Sequence, residues 1–287
     1  MTVLPTDTVL RAITDDGAFR VMVVDSTTTV SGATAAQNAQ GTETSVLADL
    51  LTGTVLFRET MAPSLRVQGI VKPKSGHGQL VADSHPSGDV RGLIQRPADE
   101  QCLKLTSGSS LRMLRSLQDG SINQGVVEMV ENATISEGLM SYMQLSEQIV
   151  TVVAVGTLLD EQMKIVRAGG YLVQLLPGAP RGPVMVMTER LQDFRDITPM
   201  LRDGEFSPRW LLGELLFKMD YTELQQSEIR FRCWCDELRV VASLATLPRA
   251  DLEDLAASNE PLDIECDYCH KQYRIAPSQL HSLLNPN

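Results

Sequence analysis

Cys233-Trp234-Cys235 and, after 30 intervening residues, Cys266-Asp267-Tyr268-Cys269 decide how the C-terminal part of this chain folds. Two close pairs of thiols across a medium loop is the spacing of a four-thiolate zinc site. Each pair supplies two ligands from one tight turn. The loop between them returns the chain, so that four sulfurs surround one ion. Zinc holds sulfur as thiolate, and thiolate is also the form that oxidants attack. The first pair is C-x-C, which is cramped for a disulfide; the second is C-x-x-C, which is comfortable for one. The residues fit a structural knuckle and a redox switch equally well.

The flanks of the cysteines suggest a small module. Residues 228–232 form a short strand entering the first pair. Residues 236–245 and 249–257 suit short helices separated at Pro248. Residues 262–265 and 273–275 suit a hairpin around the second pair, and residues 278–284 a closing helix. Large apolar residues are few here. A module of this size with a thin core needs a staple, which a metal would supply.

Upstream, periodicity alternates between strand and helix. Residues 7–31 open as two strands joined at Asp15-Asp16-Gly17. Residues 34–60 suit a buried helix with soft spots at Gly41 and Gly53. Residues 65–71, 79–83 and 90–94 suit strands, with a hairpin turn at Gly76-His77-Gly78. That turn lacks the lysine and the following helix of a phosphate loop. Further strands are expected within 101–130, where Cys102 suits a small buried hydrophobe. Thr134-Ile135-Ser136-Glu137 has the form of a capping box and opens a helix to about Gln148. Residues 149–159 suit a central strand. Residues 164–176 suit another, interrupted at Gly169-Gly170.

The Pro/Gly-rich stretch 176–183 marks an expected domain edge. Residues 184–220 are amphipathic and helical. Leu191, Phe194, Thr198 and Leu201 form one stripe. Leu211, Leu212, Leu215, Leu216 and Met219 form another, opened by Ser207-Pro208 at the N-cap and first turn. Such a stripe is most often core. The alternative is an apolar surface that can be covered and uncovered. The expected fold class is therefore α+β. It comprises an N-terminal sheet-and-helix domain (1–183), a helical linker (184–229) and a small C-terminal zinc-binding module (230–287).

Composition narrows the function. Hydrophobic content is 43% and the net charge −11, with a pI near 4.9. An acidic chain disfavours a broad nucleic-acid surface. No apolar run has the length of a membrane span. The first residues lack the basic and apolar regions of a signal peptide. Five cysteines, four of them clustered, then point to a reducing, cytoplasmic setting and a metal.

With these residues in view, the chain resembles the Hsp33 family of redox-regulated, ATP-independent bacterial chaperones. The C-x-C and C-x-x-C pairs stand at the family's place and gap. Val81-Ala82-Asp83, Gly88-Asp89-Val90-Arg91-Gly92, Tyr142-Met143-Gln144-Leu145-Ser146-Glu147-Gln148, Ala168-Gly169-Gly170 and Gln174-Leu175-Leu176-Pro177 are similar to family blocks. Residues 97–127 depart from the family pattern. Trp234 is a bulky residue inside the C-x-C pair and is expected to slow its closure. The resemblance implies zinc on Cys233, Cys235, Cys266 and Cys269 when reduced. It implies disulfides Cys233–Cys235 and Cys266–Cys269 when oxidised, with loss of zinc and unfolding of the module and linker. Unfolded client proteins would then bind, with Leu211, Leu212, Leu215, Leu216 and Met219 as candidate contacts. It further implies a monomer when reduced, a homodimer through the N-terminal domain when oxidised, and no catalytic residues.

Two rivals remain. One is a constitutive protein- or nucleic-acid-binding factor with a structural zinc module. The other is an enzyme. Cys266-Asp267-Tyr268-Cys269-His270 has the form of a haem attachment motif, which leaves Cys233 and Cys235 without a role. A thiol oxidoreductase would set C-x-x-C at a helix start within a βαβ pattern, and that context is absent. His270 is a possible substitute ligand, while His77, His85 and His281 suit the surface.

Overall fold

The computed structural model describes residues 6–74, 77–97, 108–117, 119–258 and 260–284. Cys102 and Gly76 lie outside the described residues. The chain divides into two compact units, Met1–Arg232 and Cys233–Asn287. Residues 184–229, expected from the sequence to form a separate linker, belong to the first.

The first unit is built on a ten-stranded sheet. Its strands are β1 (Asp7–Thr14), β2 (Phe19–Asp25), β3 (Arg66–Lys72), β4 (Gln79–Ser84), β5 (Asp89–Gln95), β6 (Ser110–Ser116), β7 (Ile122–Glu128), β8 (Thr151–Leu159), β9 (Ile165–Leu175) and β10 (Tyr221–Phe231). They run in the order β7-β6-β3-β4-β5-β10-β1-β2-β9-β8. The β1–β2 hairpin follows from its turn: Gly17 takes φ +69°, and the Asp16 carboxylate accepts from the Ala18 N–H at 2.9 Å. Alternation then sorts the side chains. Val9, Met22, Val24 and Leu172 face one layer of helices. Leu10, Val21, Val23, Tyr171 and Val173 face the other.

The first layer holds α1 (Thr27–Ala36), α2 (Thr42–Glu59) and α3 (Ile135–Tyr142), continued by a π-helical turn, Met143–Glu147. The single helix expected over 34–60 is two. The chain breaks before Gly41, whose φ of +54° at the N-cap of α2 excludes a continuous helix. The expected capping box is present. Thr134 Oγ1 accepts from the Glu137 N–H at 3.2 Å, and Glu137 accepts from the Thr134 N–H at 2.8 Å.

The second layer holds α4 (Arg181–Asp193), α5 (Thr198–Arg202) and α6 (Pro208–Leu215). Ser207 caps α6, accepting from the Trp210 N–H at 3.2 Å. Leu211, Leu212, Leu215 and Leu216 are fully covered in the same cluster as Val21, Val23 and Tyr171, and Met219 packs partly buried beside them. Each such leucine contributes about 1.5–3 kcal/mol by burial.

Three strand expectations need correction. Residues 149–159 were expected as a central strand, but β8 ends the sheet. Its apolar character comes from helices on both faces, since Val153 and Val155 meet the first layer and Ala154 and Val152 the second. β9 is not interrupted at Gly169-Gly170. Both glycines stay in register, Gly169 opposite Asp25 and Gly170 opposite Val24. They are needed because a Cβ at Gly169 would run onto the Val24 carbonyl and the Phe206 ring, and one at Gly170 onto the Ala154 carbonyl. Finally, the strand expected at 228–232 begins at Tyr221. β10 pairs with β1 along its length and with β5 only at Arg230 and Phe231. It therefore joins the two halves of the sheet.

Two of the blocks that resemble the family tie β3, β4, β5 and β10 together. Asp83 is wholly buried and takes Arg66 at 2.6 Å and Arg91 at 3.1 Å. Asp89 holds Arg230 of β10 at 2.7 Å. Gly88, at φ +83°, lets the β5 turn meet the Glu228 carbonyl, which any Cβ there would strike.

The second unit holds α7 (Glu237–Leu244), α8 (Arg249–Ala257), the antiparallel pair β11 (Leu262–Glu265) and β12 (Gln272–Ile275), and α9 (Pro277–Leu284). Its buried apolar residues are Leu244, Leu252, Ala256, Tyr273, Ile275 and Leu280. This is a thin core for a unit of its length.

Candidate metal centre

Both cysteine pairs sit where the backbone turns. After β10 the chain runs through Cys233 and Cys235 without regular structure. Asp236 then caps α7, accepting from the Arg239 N–H at 2.8 Å, which fixes where the first pair ends. The second pair occupies the β11–β12 turn. The register Glu265 opposite Gln272 is extended by the Cys266 N–H donating to the Lys271 carbonyl at 3.0 Å. The Cys269 and His270 N–H groups then fold back onto the Cys266 carbonyl at 3.3 and 2.8 Å. His270 closes the turn in the left-handed region, φ +57°. This places Cys266 and Cys269 on one side of a tight loop.

The four thiols converge. Every pair of Sγ atoms among Cys233, Cys235, Cys266 and Cys269 lies within 4.8 Å. The Cys233–Cys266 separation is 3.8 Å and the Cys235–Cys269 separation 3.4 Å. Both far exceed the disulfide bond length of about 2.0 Å, so these are thiols. A tetrahedral zinc with bonds of about 2.3 Å requires sulfurs about 3.8 Å apart, so the donor set fits such an ion. Four cysteines this close can bind a metal ion. Among the described residues this is the only group of three or more His, Cys, Asp or Glu with that geometry. His270, the candidate substitute ligand, instead directs Nδ1 to the Glu265 carboxylate.

The surroundings make the thiols unequal. At Cys235 burial opposes ionisation, but hydrogen bonds from Tyr273 and the neighbouring thiols outweigh it and bring the group down to about 7. Burial pushes Cys266 and Cys269 up. Sequence reasoning missed one partner of the site: the Tyr273 hydroxyl donates to Cys235 Sγ at 3.0 Å. The available signal was a tyrosine four residues past Cys269, in a strand whose alternate positions, Tyr273 and Ile275, are buried.

The comparisons with known proteins agree with this architecture. The family model described as "Hsp33 protein" matches residues 7–276. The chain belongs to the Hsp33 family. Relatives named "33 kDa chaperonin" include those of Streptococcus sanguinis, 28% identical over 97% of this chain and 98% of the relative, and Syntrophotalea carbinolica, 27% identical over 97% and 99%. The crystal structure of the 33 kDa chaperonin, a heat shock protein 33 homolog, from Thermotoga maritima superposes with a TM-score of 0.82. It covers 98% of both chains at 22% identity and carries the same α+β fold. Membership of the Hsp33 family supports a chaperone function. No helix among the described residues is long and apolar enough to cross a membrane.

Proposed function

We propose that this chain is a redox-regulated, ATP-independent chaperone of the cytoplasm. In this reading Cys233, Cys235, Cys266 and Cys269 hold one zinc ion in the reduced state. The supporting observation is the convergence of four sulfurs in a unit with so few buried apolar residues. A bound zinc ion supplies a four-way crosslink and keeps its ligands as thiolates.

Oxidation acts on the sulfurs. A peroxide takes two electrons from each thiolate pair, forms one S–S bond between them, and with two protons from solvent leaves as two water molecules. As in the family, the pairs are Cys233 with Cys235 and Cys266 with Cys269. With all four sulfurs within 4.8 Å, these partners are in reach. Each disulfide closes a loop of only a few residues and restrains the unfolded chain little. The link across the 30 residues between the pairs is lost, and Cys233–Asn287 unfolds. Cys233 follows directly on Arg232 and β10, the strand that joins the halves of the sheet. Loosening then spreads back through β10 to α6, exposing Leu211, Leu212, Leu215, Leu216 and Met219 to unfolding client proteins. The reduced chain is a monomer and the oxidised chain a homodimer through its N-terminal domain.

The test is zinc content and suppression of client aggregation, measured on one sample before and after peroxide. The expected result is one zinc and little suppression when reduced, then no zinc and strong suppression when oxidised. Zinc that survives complete peroxide treatment would favour a constitutive structural module instead.

A further inference from the structure

Around the free edge of β8 in the first unit, with α2 and α3 on one face of the sheet and α4 on the other, lies a cleft of about 730 Å³. That volume is within the range of about 300–1,000 Å³ that small-molecule sites occupy. Its walls are mostly apolar, including Met140, Val153, Val155, Met187, Leu191 and Ile197. The charged groups on the walls are Asp49 from α2, Glu137 from α3, and Arg195 and Asp196 from the loop after α4.

Two of these acids are already committed to local structure. Glu137 closes the capping box of α3, and Asp196 accepts from the Thr198 N–H at 2.9 Å. Asp49 differs. Its carboxylate accepts from Thr157 Oγ1 at 2.7 Å, and no cation pairs with it among the described residues. Burial raises the acid to about 6, against the hydrogen bond from Thr157, which lowers it. Asp49 is half-buried, and a carboxylate against apolar walls without a countercharge costs free energy that an incoming cation would offset.

We propose that this cleft binds an amphipathic organic cation, its apolar body among the valine and methionine side chains and its ammonium group at Asp49. The site is independent of the cysteines and of the chaperone reading. Its chemistry is that of an alkylamine: one positive charge at the end of an apolar chain.

The test compares three probes of equal chain length, octylammonium, octan-1-ol and octanoate, titrated into the reduced full-length protein at about pH 7.5. Binding is followed by methyl chemical shifts of the valine, leucine and methionine residues. Octylammonium is expected to bind at least about tenfold more tightly than octanol, a difference of about 1.4 kcal/mol, with octanoate weakest and the shifts centred on Met140, Val153 and Met187. Lowering the pH to about 5 protonates the Asp49 carboxylate, raised as it is to about 6, and is expected to remove most of that advantage. Asp49→Asn should reduce octylammonium to the affinity of octanol while octanol binding persists, which also shows that the cleft still forms. Equal affinity for all three probes in the parent protein, shifts centred elsewhere, or selectivity retained in Asp49→Asn would each overturn the proposal. If the variant fails to fold, the charge selectivity of the parent protein decides.

Discussion

Cys266→Ser is expected to abolish tight zinc binding and to unfold the C-terminal unit, whereas Cys102→Ser leaves the metal content unchanged. Cys266 contributes one of four sulfurs that lie within 4.8 Å of one another. Its backbone also anchors the turn, accepting from the N–H groups of Cys269 and His270. A serine hydroxyl preserves that backbone and removes a ligand. Structural zinc contributes about 10–16 kcal/mol of apparent binding free energy in small peptides. The unit's buried apolar cluster, Leu244, Leu252, Ala256, Tyr273, Ile275 and Leu280, is too small to replace a term of that size. Zinc content by mass spectrometry under native conditions, with circular dichroism of the same samples, checks this. Equal zinc loss in both variants would remove the basis for the ligand assignment.

Leu215→Asp is expected to suppress client aggregation without any oxidant. Leu215 is wholly buried and belongs to the cluster that α6 forms with Leu10, Val21, Val23 and Tyr171 of the sheet. Removing the leucine side chain costs about 2–5 kcal/mol, and a carboxylate without a partner at that place adds to it. The helix should therefore leave the sheet and expose its apolar face. Phe217→Asp is the control: Phe217 is 58% exposed, so a charge there uncovers nothing. A reduced Leu215→Asp protein that stays folded and inactive would show that the α6 stripe is ordinary core.

What the sequence revealed follows from where the signal was local. The β1–β2 hairpin, the capping box at Thr134, the N-cap at Ser207 and each of the two cysteine pairs rest on residues within a few positions of one another. β10 is the instructive opposite. Tyr221–Phe231 is mostly exposed along its length, so it carries no apolar alternation. Its place is set by backbone pairing with β1 and by Arg230 on Asp89, partners more than 140 residues away in sequence. β8 misled in the other direction: helices on both of its faces give an edge strand the composition of a central one. The Tyr273–Cys235 hydrogen bond spans 38 residues, and the Asp49–Thr157 pair spans 108. Neither leaves a trace in the local pattern, so the cleft at β8 and the hydroxyl partner of Cys235 emerge only from the folded chain.

The central claim is that the metal-bound sulfurs carry the fold of Cys233–Asn287, so that oxidising them becomes a structural event. Hydrogen exchange on the reduced protein and on the fully oxidised, zinc-free protein tests it most directly. The expected result is fast exchange across 233–287 and across β10 and α6 after oxidation, with protection retained in β2, β9 and α2. Unchanged protection across 233–287 after complete zinc release would mean that the unit folds without its metal, and oxidation would then have no structural route to the client-binding surface.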